Sequence, residues 1–192
     1  MPSTCNAALI LIDVVNALDF EGSAGIVRAA TAVLPRLRDL SARARATQVP
    51  VIYVNDNFGQ WRSDFPRTFE ACSTPGKPGR EITLALRPES DDYFVLKPMH
   101  SGFFCTPLEL LLTQLQVKKL VLTGFATNIC VLYTANDARM RGYDLIVPSD
   151  CTASNTEDLT HSALEHLRTV LKAETPVARD IDWQRLSRAS AT

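Results

Sequence analysis

Short runs of Val, Ile and Leu alternate along this chain with longer stretches whose apolar residues recur every three or four positions, and that alternation narrows the fold more than any other feature. The short runs are residues 7–12, 49–54, 93–96, 119–123, 144–147 and 176–178. Runs of this length, without a polar face, suit strands buried on both sides of a parallel sheet. Between the first two, residues 24–47 place Ile26, Ala30, Val33, Leu34, Leu37 and Leu40 on one helical stripe. Residues 107–116, 127–141 and 157–173 behave alike, the second closing at Gly142 and the third opening behind Asn155 and Thr156 as caps. Strand and helix in strict turn, joined by right-handed crossovers, predict an α/β protein: a three-layer α/β/α sandwich around a central, mainly parallel six-stranded sheet. At 192 residues the chain reads as a single domain over 1–192.

Composition then removes whole classes of function. Twenty Lys and Arg against 21 Asp and Glu, with no block of one sign, leave no basic footprint for nucleic acid or an anionic membrane surface. The early apolar run 7–12 is far short of the roughly 20 residues a membrane span requires. Residues 1–6 lack the charged start of a signal peptide, so the expectation is a soluble, cytoplasmic chain. Five cysteines, odd in number, widely spaced and without a CxxC pair, suggest neither a disulfide framework nor a zinc knuckle. The expected partner is a small-molecule substrate.

One stretch breaks the rhythm. Residues 55–80 hold Gly59, Pro66, Pro75, Gly76, Pro78 and Gly79, with periodicity only for a short helix near 68–72. Its Phe58, Trp61 and Phe65 suggest a lid over a ligand.

Parallel α/β sheets bind ligands beyond the carboxyl ends of their strands. Asp13 follows the first run, Lys97 the third, and the fourth leads through residues 124–128 to Cys130 at the start of a helix. A carboxylate, an ammonium and a thiol at one sheet edge are a base, a charge stabiliser and a nucleophile. A helix N-terminus and a nearby Lys are both expected to lower the Cys130 pKa, while burial raises that of Asp13 and Lys97 lowers it. Backbone N–H groups between Gly124 and Cys130 form a candidate oxyanion hole, worth about 3–4 kcal/mol per donor.

The segments LILIDVVNALDF (9–20), VLKPMHSGFF (95–104) and LTGFATNICVLYTANDARMRGYDLIVPSDCTAS (122–154) resemble the isochorismatase-like cysteine hydrolases, which include nicotinamidases and N-carbamoylsarcosine amidases. The resemblance implies an Asp13, Lys97, Cys130 triad, a thioester on Cys130, an oxyanion hole from the amides of Ala126 and Cys130, and a cis peptide between Phe125 and Ala126. It also implies a homo-oligomer, dimer or tetramer. Zinc-dependent nicotinamidases carry an Asp-x-His pair after the second strand, where this chain reads Asn55-Asp56-Asn57-Phe58. That departure predicts no metal ligands and no cofactor, and it weighs against nicotinamide as the substrate.

Leu18, Asn57, Trp61, His100, Phe103 and Phe125 are the expected substrate-binding residues, with Arg62 or His100 available to a substrate carboxylate. The leading expectation is a metal-independent hydrolase of a small amide or ureido compound. An enol-ether hydrolase using Asp and Lys without the thiol, and a non-catalytic metabolite-binding relative, are the alternatives. A dinucleotide fold is set aside because residues 21–25 come too late and lack GxGxxG.

Overall fold

In β1 (Ala7–Ile12), Leu9 and Leu11 enter one hydrophobic core while Ala8, Ile10 and Ile12 enter another, so a single strand generates both interfaces of the sandwich. A computed structural model describes residues 5–62 and 64–188. Residues 1–4, the start of the segment weighed above as a leader, and residue 63 within the long connection lie outside the described residues.

The elements that follow are α1 (Ala24–Ala46), β2 (Val51–Asp56), α2 (Phe65–Cys72), α3 (Arg80–Ala85), β3 (Tyr93–Lys97), α4 (Leu108–Gln114) and β4 (Lys119–Phe125). A π-helical turn (Thr127–Val131) runs directly into α5 (Leu132–Met140), and β5 (Asp144–Ile146), β6 (Thr152–Ala153), α6 (Glu157–Thr169), a 3-10 turn (Ala178–Asp180) and α7 (Trp183–Ser187) complete the order. The six strands are parallel wherever they pair, in the order β3-β2-β1-β4-β5, with β6 against the far end of β4. Ile26, Ala30, Leu37 and Leu40 of α1 pack with residues of α2, α3 and α7 on one face. Leu108 and Leu112 of α4, Ala135 and Ala138 of α5 and Leu167 of α6 cover the other. This is the α/β/α sandwich expected.

Three details depart from expectation. The sixth strand is Thr152–Ala153, not residues 176–178. Glu174 makes only an isolated bridge to Ile146, and Ala178 already turns into the 3-10 segment. Two residues are too few to carry a hydrophobic period, which is why β6 is silent in the sequence. The long connection holds two helices, α2 and α3, the first capped by the Asp64 side chain on the Arg67 N–H. Finally, β2 continues two residues beyond 54, so Asn55 and Asp56 belong to the sheet edge.

The topology dictates where a ligand can sit. From β1 the chain steps outward to β2 and β3, then returns to place β4 on the other side of β1. The crevice at that reversal opens beyond the carboxyl ends of β1 and β4. Gly124 closes the two strands at that point: its φ is +102°, and a Cβ there would lie 2.0 Å from the carbonyl oxygen of Ile12. Only glycine fits.

Candidate active site

Asp13 is the first residue beyond β1. It holds a left-handed φ of 52°, unusual for a residue with a side chain, and its N–H donates to the Val54 carbonyl at 3.0 Å. Its Oδ1 accepts the N–H of Asp56 at 2.7 Å, and its Oδ2 lies 2.9 Å from Nζ of Lys97. Lys97, the last residue of β3, is wholly buried. Its ammonium also donates to the Met99 carbonyl at 3.2 Å and lies 3.5 Å from Sγ of Cys130 and 3.6 Å from a carboxylate oxygen of Asp56. The structure therefore brings carboxylate, ammonium and thiol together around one point, from three different strands.

Cys130 sits in the π-helical turn, where the sequence suggested the first turn of an ordinary α-helix. Nothing in the residue pattern separates the two, although single π turns recur at functional sites. The turn is held from the β6 side: Thr127 Oγ1 and Thr152 Oγ1 share a hydrogen bond of 2.9 Å, and the Asn128 N–H donates to Ser154 Oγ at 3.2 Å. The Phe125–Ala126 peptide is cis.

The electrostatics correct one expectation. Burial, reinforced by the Asp13 carboxylate, pushes the Cys130 thiol up to about 12, and Lys97 does not reverse this. Burial also raises Asp13 above the usual carboxylate range, with Lys97 pulling it part of the way back. For Lys97, burial favours the neutral amine, but Asp13, Cys130 and Asp56 outweigh it and the net shift is upward. The shift favours the neutral thiol, and the Asp13 side chain is hydrogen-bonded to it.

A cavity of about 420 Å³ opens onto this group. Leu18, Phe125, Ala126 and His100 line it, and His100 Nδ1 is 4.0 Å from Sγ. Three other candidates lie elsewhere. Phe103 is buried in the core against Tyr143 and beneath the Arg141 guanidinium. Trp61 is 79% exposed and lines neither this cavity nor its neighbour. Asn57 is buried, accepts the Gly59 N–H on its side chain at 2.9 Å and lines neither cavity. Phe65 belongs to the core as well, against Tyr53 and Phe94. The sequence reading missed Asp56, Asn128, Ile129 and Leu159, all on the cavity wall. Asp56 is the last residue of β2, where the strand-end rule applies, but the apolar run that marks the strand stops two residues earlier.

Among the described residues, no group of three or more His, Cys, Asp or Glu is arranged to hold a metal ion. The one carboxylate at the position of interest, Asp56, faces the Lys97 ammonium and is followed by an amide and a phenyl ring. That donor set does not fit zinc. No helix is long and apolar enough to cross a membrane.

The sequence model of the isochorismatase domain matches residues 7–178. The chain belongs to the isochorismatase family. An isochorismatase family protein of Bacillus subtilis, YaaI, is 38% identical over 172 residues, covering 90% of this chain and 94% of that protein. The ureidoacrylate amidohydrolase RutB of Methylorubrum extorquens is 30% identical over 190 residues, covering 84% and 75%. Among solved structures, the N-carbamoylsarcosine amidase of Thermoplasma acidophilum superposes with a TM-score of 0.73 at 27% identity, covering 92% of this chain and 99% of that one. The family's relatives of this chain thus include amidohydrolases.

Proposed function

We propose that this family member is an amidase that hydrolyses a small carboxamide or ureido compound through a thioester on Cys130, with Asp13 as proton carrier and Lys97 as electrostatic partner. The observation that carries the reading is the position of Lys97 Nζ, 2.9 Å from Asp13 and 3.5 Å from the Cys130 sulfur. The names of the two amidohydrolase relatives favour C–N cleavage over enol-ether cleavage.

The chemistry follows from the protonation states. A thiol pushed up to about 12 does not ionise unaided at neutral pH, so its proton must leave as the sulfur attacks. Asp13, held against the Lys97 ammonium at 2.9 Å, takes that proton while the S–C bond forms. Negative charge gathers on the carbonyl oxygen, and in this reading the N–H groups of Ala126 and Cys130 receive it. As the tetrahedral adduct collapses, the C–N bond breaks and Asp13 returns the proton to the departing nitrogen. Water then enters, gives a proton to Asp13, and attacks the thioester. The acid leaves and Sγ recovers its proton. Lys97 stays charged throughout and offsets whichever of Asp13 or sulfur is anionic.

The test is a panel of carboxamides and ureido compounds assayed for ammonia or amine release, with parent, Cys130→Ala and Asp13→Asn proteins. Active compounds should leave an acyl adduct on Cys130 detectable by mass spectrometry after acid quench, mapped in a Cys105→Ser background because Cys105 is exposed. Turnover by Cys130→Ala at the parent rate overturns the mechanism.

A further inference from the structure

Lys97 has two carboxylates beside it, and the proposed chemistry uses one. In the parallel pairing of β2 with β3, Asp56 stands next to Lys97, and its Oδ2 lies 3.6 Å from Nζ while Oδ2 of Asp13 lies 2.9 Å from the same atom. The rest of Asp56 is fixed. Its Oδ1 accepts the Phe58 N–H at 2.6 Å, a turn closed on its own side chain, and its backbone N–H donates to Asp13 Oδ1 at 2.7 Å. One ammonium therefore divides its field between two acids, and Asp13 receives less of it than a sole partner would. The charged and titratable groups around Asp13 and the sulfur are Lys97 from β3, Asp56 from β2, Cys130 from the π turn and His100 from the loop after β3. Among the described residues no Arg or Lys lines the cavity to make up the difference.

We propose that Asp56 is a positioning residue that keeps Asp13 basic: by sharing the Lys97 ammonium it leaves Asp13 a stronger proton acceptor, and it holds Lys97 in place while Asp13 carries the proton. The inference rests on the reading of Asp13 as proton carrier. That task needs a good base, because the thiol to be relieved is pushed up to about 12. An aspartate paired alone with a lysine moves the wrong way, its proton affinity falling. A second carboxylate at the ammonium opposes that fall, by drawing on the same positive charge and by repelling negative charge on Asp13. The return half of the cycle benefits too. Once Asp13 is neutral its ion pair is gone, and Asp56 with the Met99 carbonyl remains to anchor Nζ. Asp56 is also one of the groups that hold the Lys97 proton more firmly.

Asp56→Asn is the test, since an amide oxygen can still accept the Phe58 N–H and the backbone still serves Asp13, so that charge alone is removed. Alkylation of Cys130 by iodoacetamide reads it without any amide substrate: the S–C bond forms, the C–I bond breaks, iodide leaves and Asp13 receives the thiol proton. Rates are followed by mass spectrometry from about pH 4 to about 9 in a Cys105→Ser, His100→Gln background, so that neither the exposed thiol nor a nearby imidazole contributes. Removing the charge should lower the plateau at least about threefold and move its acid limb down by at least about half a pH unit, because Asp13 loses proton affinity. Asp56→Glu should restore part of both. Should Asp56→Asn not fold, Asp56→Ser, whose hydroxyl also accepts from the Phe58 N–H, is read the same way. A slower plateau with an unmoved or rising limb makes Asp56 merely structural and overturns the proposal, as does an unchanged rate. The expected shift in alkylation, with no amide hydrolysed by the parent, would overturn the amidase reading and leave the role of Asp56 standing.

Discussion

Replacing Gly124 with Ala tests whether the approach of β1 and β4 positions the acid against the thiol. The added Cβ would meet the Ile12 carbonyl oxygen at 2.0 Å, the Ile12 nitrogen at 2.8 Å and the Ile12 carbonyl carbon at 2.9 Å. All three are backbone atoms of the paired strand, so no side chain can swing away. Reaching ordinary contact at 3.4 Å requires a retreat of about 1.4 Å from the oxygen. The φ of +102° adds about 1–2 kcal/mol for any residue bearing a Cβ. Overpacking adds about 1–3 kcal/mol more. A loss of about 2–5 kcal/mol in urea unfolding is expected, or a melting temperature lower by roughly 5–15 °C for a chain of this size. Asp13 is the next residue after Ile12, so the same shift moves its carboxylate relative to Cys130. A displacement of about 1 Å in a reacting group costs about a hundredfold in rate. Stability within about 0.5 kcal/mol of the parent, together with parental turnover, would refute the argument.

Two further substitutions probe the buried charges. Lys97→Met leaves Asp13 buried without its counterion and should cost about 3–5 kcal/mol near pH 7. The loss should shrink as pH falls. With its folded pKa raised further above the unfolded value, Asp13 binds its proton better in the native state, so stability declines as pH rises through that window; an identical penalty near pH 7 and pH 5 in urea titrations contradicts this. Cys151 is fully buried and its thiol is pushed up to about 12 by burial and then by Asp150. The unfolded chain therefore releases this proton first, and native stability should fall by about 1.4 kcal/mol per pH unit for this one thiol as pH rises above roughly 9. Cys151→Ala should flatten the slope of stability against pH between about 8.5 and 10.5, and an unchanged slope counts against the assignment.

Why some of this was legible from the sequence and some was not has a physical basis. Strands such as β1 and β4 are buried on both faces, so their composition alone declares them, and the strand-end rule then delivers Asp13, Lys97 and the turn to Cys130. The thiol's charge state is not legible in the sequence because its neighbours show the helix start and the Lys but not the depth of burial or the adjoining carboxylate, which here outweigh them. Phe103 and Trp61 illustrate the same limit in opposite directions: an aromatic near a catalytic segment can face the core or open solvent, and nothing in its neighbours' identity says which. The π turn and the two-residue β6 depend on tertiary hydrogen bonds, Thr127 to Thr152 among them, that no local pattern encodes.

The Asn55 side chain bridges both backbone groups of Val15, accepting its N–H at 3.1 Å and donating to its carbonyl at 2.6 Å, while wholly buried. One amide thereby imitates a rung of sheet and welds the stretch leading to Leu18 onto β2. The opposite bank of the crevice, from Phe58 to Arg62, is held by single side-chain contacts instead, from Asp56 to the Phe58 N–H, Asn57 to the Gly59 N–H and Arg67 to the Arg62 carbonyl. Evolution is thus free to redraft that bank and acquire new ligands while the reacting trio stays where it was, a division of labour suited to a lineage with many chemistries on a single frame.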